Sequence, residues 1–143
     1  MKTKIIGEKS KFAIEVKLRL TSSNRLYGNT RIWINNNPLG AIQEEIMMGS
    51  FINCLRIMKE NSYNLLFSKH ISLTENFDDF IIRANYKKEN ITFYWKLIGN
   101  NYEYNDINNK PYFYQKTISS IYFRGIIIEL NKSVEKEFSK YWK

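Results

Sequence analysis

The chain holds one cysteine and one histidine, and these two residues limit the chemistry its sequence can carry. A nucleophilic triad needs a base beside its nucleophile, and His70 would have to fill that role alone. It sits between Lys69 and Ile71 with no second histidine and no carboxylate at a fixed spacing, so it reads as ordinary surface or edge-strand structure. Cys54 has no second thiol for a disulfide or a zinc site. It falls on an apolar stripe with no base to lower its pKa, the setting of a small packing side chain. The densest acidic run, Glu75-Asn76-Phe77-Asp78-Asp79, lacks the loop glycine and the bidentate glutamate of a calcium loop and is read as a solvated turn. Gly7, Gly28, Gly40, Gly49, Gly99 and Gly125 are scattered, whereas a phosphate-gripping loop needs them clustered. Fourteen carboxylates are present, and nothing in their spacing selects a pair. The expectation is a non-enzyme with no catalytic residue, no cofactor and no metal.

Binding has better material. Lys17, Arg19, Arg25, Tyr27, Arg31 and Trp33 fall within seventeen residues of one another, and Arg with Tyr and Trp is the composition of interface hot spots. Two parities compete for the segment carrying Trp33. If Ile32 and Ile34 point into the core, Tyr27, Arg31 and Trp33 share the opposite face beside Lys17 and Arg19. In the other parity Trp33 is covered by a helix and Ile32 and Ile34 lie outside, or both faces are buried. Burial of Trp33 is the preferred reading, leaving Lys17, Arg19, Arg25 and Arg31 as the candidates that do not depend on it. A second candidate surface is the Asn- and Tyr-rich loop from Asn100 to Tyr114, where Tyr102 and Tyr104 supply contact area and adaptable hydrogen bonding. The alternative function is a basic β-sheet module for nucleic acid, since lysine and arginine neutralise phosphates and aromatics stack on bases. No recognition-helix, zinc-finger or RNA-recognition signature accompanies the patch, so nucleic acid is the less favoured partner.

The elements that must position these residues follow from periodicity. Phe12, Ile14, Val16, Leu18 and Leu20 alternate with Lys11, Ala13, Glu15, Lys17 and Arg19, the period-two pattern of a strand with one dry face. Thr21 to Arg25 is a polar turn, and Leu26 to Asn35 returns as a second strand, closed by the turn before Gly40. Phe51, Cys54, Leu55 and Met58 recur at helical spacing behind Ser50, a good capping residue, so a helix is expected from about Ser50 to Asn61. Strands are expected from Phe80 to Tyr86 and from Ile91 to Ile98, joined by a turn at Lys87 to Asn90. Tyr112 to Ile118 and Ser120 to Leu130 read as the last two strands, the run Ile126-Ile127-Ile128 suggesting a central strand covered on both faces. Asn131 or Ser133 would then cap a final helix carrying Val134, Phe138 and Tyr141 or Trp142. Strands with two helices predict an α+β fold, an antiparallel β-sheet of about five to seven strands with both helices on one face.

Composition sets the outer limits. With 143 residues, 43% hydrophobic and 25% charged, the chain matches one ordinary globular domain spanning 1–143. No apolar run approaches the roughly 20 residues of a membrane helix. The start lacks the apolar stretch of a secretory signal, so a cytoplasmic location is expected. The net charge of +8 is concentrated in residues 1 to 40, which hold eight Lys or Arg against Glu8 and Glu15. Such a field steers acidic partners.

The order Ile6-Gly7-Glu8, Lys11-Phe12-Ala13-Ile14-Glu15, Leu26-Tyr27-Gly28, Ile32-Trp33-Ile34-Asn35 and Leu39-Gly40 resembles the opening of the immunity protein 42 family of bacterial polymorphic toxin systems. An I-G-D-P start, an F-A-I-E strand and a Y-W-I-x-G-x-x-I-G turn recur in that family. The likeness covers about a quarter of the chain, with Glu8-Lys9 in place of Asp-Pro and Asn37-Pro38 in the turn. It implies a small cytoplasmic protein that binds and neutralises a cognate toxin domain by stoichiometric occlusion or distortion of the toxin's active site. A basic inhibitor suits an acidic toxin surface and argues against a nuclease target, because nucleases present basic surfaces of their own.

Overall fold

The computed structural model describes residues 3–23, 25–60, 69–70, 74–77, 80–87, 89–98 and 113–139. Within them lie nine strands and two α-helices: β1 Lys4–Glu8, β2 Phe12–Leu20, β3 Leu26–Ile34, β4 Asn37–Leu39, β5 Glu45–Met47, α1 Met48–Glu60, β6 Lys69–His70, β7 Phe80–Lys87, β8 Asn90–Leu97, β9 Tyr114–Ser119 and α2 Ser120–Ser139. All strand pairing is antiparallel, and the fold is α+β as expected. The strands divide into two sheets, however. One runs β1-β2-β3-β4 with β5 also paired to β3, and the other runs β6-β7-β8-β9.

The first sheet is built on the alternation visible in β2. Phe12, Ile14, Val16 and Leu18 are buried, and the register sets them beside Ile34, Ile32, Thr30 and Gly28 of β3, which are buried too. That inner face meets the second sheet and both helices in one core. Phe12 of β2 stacks on Phe93 of β8 with ring centroids 5.2 Å apart, and Phe123 of α2 packs edge-on against both. Trp95 is fully buried and stacks on Tyr114, the core role that its position on an alternating strand implies. At the tip of β3, Asn35 and Asn36 both take positive φ, 52° and 65°. A two-residue hairpin turn of type I′ requires this of both residues, and asparagine tolerates it. Their amides donate to the carbonyls of Lys11 and Lys9, so this turn is tied to the β1–β2 hairpin.

Four expectations are corrected. The segment from Ser120 to Leu130 is helix, not strand: α2 begins at Ser120 and runs unbroken through the supposed caps Asn131 and Ser133. Its buried residues Phe123, Ile126, Ile127 and Leu130 recur at i, i+3, i+4 and i+7, and Ile128 is 48% exposed. Three consecutive isoleucines therefore straddle the edge of an apolar stripe, a helical pattern that resembles a buried strand when read over three residues. The expected packing of Phe138, Tyr141 and Trp142 concerns side chains outside the described residues. Second, α1 starts at Met48, which places Ser50 inside the first turn and not at the cap. Phe51 and Leu55 are buried as expected, and Cys54 is half-buried.

Third, the run at Glu75 is no solvated turn. Glu75–Phe77 forms a short 3-10 turn whose Asn76 and Phe77 are buried. The Asn76 amide donates to the carbonyl and hydroxyl of Thr30 at 3.0 and 2.9 Å, its Oδ1 accepts from Thr74, and its carbonyl accepts from the Ala41 amide. Phe77 stacks on Phe51 of α1 and lies against Gly40, which has φ of +104°; a Cβ there would sit 2.7 Å from the ring. Asp78 and Asp79 lie outside the described residues. The fourth correction concerns Trp33 and belongs to the site.

Candidate functional site

Turning one face of β1, β2 and β3 into the core sends the alternate residues outward, and no described helix covers them. Along β2 these are Ala13, Glu15, Lys17 and Arg19, and along β3 they are Trp33, Arg31, Asn29 and Tyr27, paired across the strands in that order. On the far side of β3, Glu45 lies opposite Asn29 and Met47 opposite Tyr27, while Pro38 lies opposite Trp33. Ile5 of β1 lies beside Glu15 and is 45% exposed.

The structure takes the parity that was not preferred. Ile32 and Ile34 are buried, and Trp33 is only half-buried, on the outer face. Its partners explain how a tryptophan is stable there. The indole Nε1 donates to Glu15 Oε1 at 2.9 Å, the Lys9 ammonium sits 4.1 Å from the ring centroid and the Arg31 guanidinium lies 5.9 Å away. Cations over an aromatic face are held by its quadrupole, so the ring gains the contacts that a core would otherwise supply. Arg31 Nε also donates to the Gly40 carbonyl.

The other end of the face is latched in a second way. Arg19 reaches from β2 over the Tyr27 ring, its guanidinium 5.3 Å from the centroid, to form a two-pronged pair with Glu45 of β5, Nε to Oε2 at 2.8 Å and Nη2 to Oε1. That hydrogen bonding holds the Glu45 carboxyl below the ordinary glutamate range, against a smaller opposing effect of burial. The planar fork of arginine matches a carboxylate in this manner, and the pair fastens the short β5 to the sheet.

Of the residues singled out from sequence, Lys17, Arg19, Tyr27 and Arg31 therefore share one face, and Arg25 is exposed in the turn at its edge, where its backbone is bonded to Thr21. Tyr102 and Tyr104 lie outside the described residues. Lys9, Glu15, Asn29, Trp33, Glu45 and Met47 complete the face. Glu45-Ile46-Met47 alternates for only three residues, too short for a period-two pattern to register, and Lys9 arrives from the neighbouring turn.

Among the described residues, the rest of the surface offers little for catalysis. A shallow groove of about 270 Å³ between β9 and α2 is lined by Lys11, Lys116, Thr117, Ile118, Ser119 and Tyr122, with no carboxylate or imidazole among them. The Tyr122 hydroxyl is engaged, donating to the Phe12 carbonyl and accepting from the Glu8 amide. Among the described residues no group of three or more His, Cys, Asp or Glu could hold a metal ion. Burial raises the Cys54 thiol above its ordinary pKa. No helix of the described residues is long and apolar enough to cross a membrane.

Comparison with known proteins places the whole arrangement. The crystal structure of CdiI from Burkholderia dolosa AUO158 is similar in fold, with a TM-score of 0.54 over 91% of this chain and 99% of that one at 11% identity. Comparison with curated protein sequences gives no match. The family model of immunity protein 42 matches residues 4–107, which takes in both the outward face and the second sheet up to β8. Over most of its length, from the first strand past the pair of central hairpins, the chain thus belongs to the immunity protein 42 family.

Proposed function

We propose that this immunity protein neutralises its cognate toxin domain by stoichiometric binding that occludes the toxin's active site, with no turnover of its own. The observation that carries the reading is the family match over residues 4–107. The outward face of β2 and β3 gives it a surface: an array of half-buried aromatics with exposed and half-buried cations suits a macromolecule better than a small substrate. Lys17, Arg19, Arg25, Tyr27 and Arg31 are the contacting residues in this reading, with Tyr102 and Tyr104 of the Asn-rich loop joining them. The net charge of +8 fits an acidic toxin surface and a target other than a nuclease. A single domain acting in the cytoplasm, without membrane or nucleic-acid partners, completes the proposal.

The test is co-expression with the cognate toxin domain, sought in the adjacent gene. A complex of one to one that survives size-exclusion chromatography, together with protection of cells expressing the toxin, is expected. Failure to bind and to protect would overturn the reading. The nucleic-acid alternative predicts binding to DNA or RNA that weakens steeply with salt, and the absence of such binding at low salt would end it.

A further inference from the structure

The cations of the outer face are not equivalent. Arg19 is committed to Glu45, Arg31 to the Gly40 carbonyl and the Trp33 ring, and Lys9 to the same ring. The Lys17 side chain is exposed and, among the described residues, has no hydrogen bond, ion pair or ring contact. The reason lies in the register. Lys17 faces Asn29, and Glu45 faces Asn29 from the other side, but Glu45 is drawn diagonally to Arg19. Glu15, two residues along β2, is engaged by the Trp33 indole. Both carboxylates near Lys17 on this face are thus held by other groups. The half-buried Asn29 amide likewise has no side-chain partner among the described residues.

We propose that Lys17 and Asn29 form a receptor point for one carboxylate, an Asp or Glu on the toxin surface, and that it is the central anchor of the interface. The inference rests on the reading given under Proposed function and specifies its chemistry. An uncompensated ammonium beside an amide donor supplies charge-assisted hydrogen bonding. The Tyr27, Arg19 and Met47 side chains on one side, with Arg31 and Trp33 on the other, form a rim that removes water as the partner closes, the arrangement that makes a central contact dominate binding. The charge pattern selects the occupant. A nucleic-acid backbone asks for several free cations in line, whereas among the described residues paired along β2 and β3 Lys17 is the one cation without a side-chain partner, standing between compensated groups with Arg25 apart from it in the edge turn, a pattern that matches a single carboxylate.

The experiment titrates the adjacent gene's toxin domain into wild-type protein and into Lys17→Met, Lys17→Glu and, as a control on the exposed face of α2, Lys132→Glu, all checked for unchanged thermal unfolding. Expected are losses of about tenfold for Lys17→Met and at least about 30-fold for Lys17→Glu, roughly 2 kcal/mol at the conversion of 1.4 kcal/mol per decade. Lys132→Glu should stay within about twofold, and the gap between wild type and Lys17→Met should narrow as salt rises. If wild type binds and both Lys17 variants bind equally well, the anchor is overturned while the immunity function stands. If wild type neither binds nor protects, the functional reading fails and this inference with it. A Lys17→Glu effect confined to a single-stranded DNA probe, or a wild-type dimer that Lys17→Glu separates, would assign the face to another occupant and also overturn the proposal.

Discussion

Two side chains show how local partners decide what a residue does. Asn76 is a buried polar group whose amide and carbonyl are all engaged, on Thr30, Thr74 and Ala41. Asn76→Leu removes the side-chain bonds to Thr30 and Thr74, leaving the backbone bond to Ala41, and strands a buried Thr30, so it is expected to cost about 2–3 kcal/mol, measured as a lowered urea midpoint at unchanged slope. Glu45 tests the sign of an exposed pair. Its folded-state pKa is depressed by Arg19, so the pair's contribution is present above the pKa of an unfolded glutamate and is lost as pH falls through the lower folded value. Thermal melts of wild type and Glu45→Gln should therefore differ at pH 7 and converge on acidification below about pH 4, where free glutamate titrates; a gap that widens on acidification would contradict the assignment. Trp33 explains a limit of sequence reading. Alternation established that Ile32 and Trp33 face opposite ways, but not which way was in. The deciding partners, Lys9 and Glu15, come from other strands and turns.

At the scale of elements, the sheet half of the fold and the end of the last helix were legible, and the first half of that helix, Ser120 to Leu130, was not. β2, β3, β7 and β8 announce themselves by alternation and by their turns, because each has one dry face. The start of α2 hides its period of 3.6 behind Ile126, Ile127 and Ile128, and only the exposure of Ile128 separates stripe from strand. The same asymmetry makes a prediction. Ile127→Ala should cost about 2–5 kcal/mol as a core truncation, and Ile128→Ala should stay within about 0.5 kcal/mol, read from chemical denaturation; comparable losses at both would favour a strand buried on two faces. Gly40 joins elements in a different way, since its positive φ and its contact with the Phe77 ring let the chain after β4 close over α1 and the 3-10 turn. Gly40→Ala combines backbone strain of about 1–3 kcal/mol with a clash, and a lowered thermal midpoint should report it. The partition into two sheets was not legible either, because the inner faces of both carry the same alternation and nothing in a strand's own sequence says which neighbour it pairs.

Across the whole molecule, burial and charge are segregated. The aromatic core of Phe12, Phe93, Phe123 and Trp95 joins the two sheets to α2, and the outer face of the first sheet is left to carry cations and rings. Under the proposed function, the cations of this face should quicken encounter with an acidic partner, so the association rate should fall as salt rises. The most direct measurement is isothermal titration of the protein with its cognate toxin domain, paired with an assay of toxin activity. The account predicts saturation at one protein per toxin and activity that disappears in step with occupancy. Titration without binding, or inactivation of many toxin molecules by each protein, would contradict it.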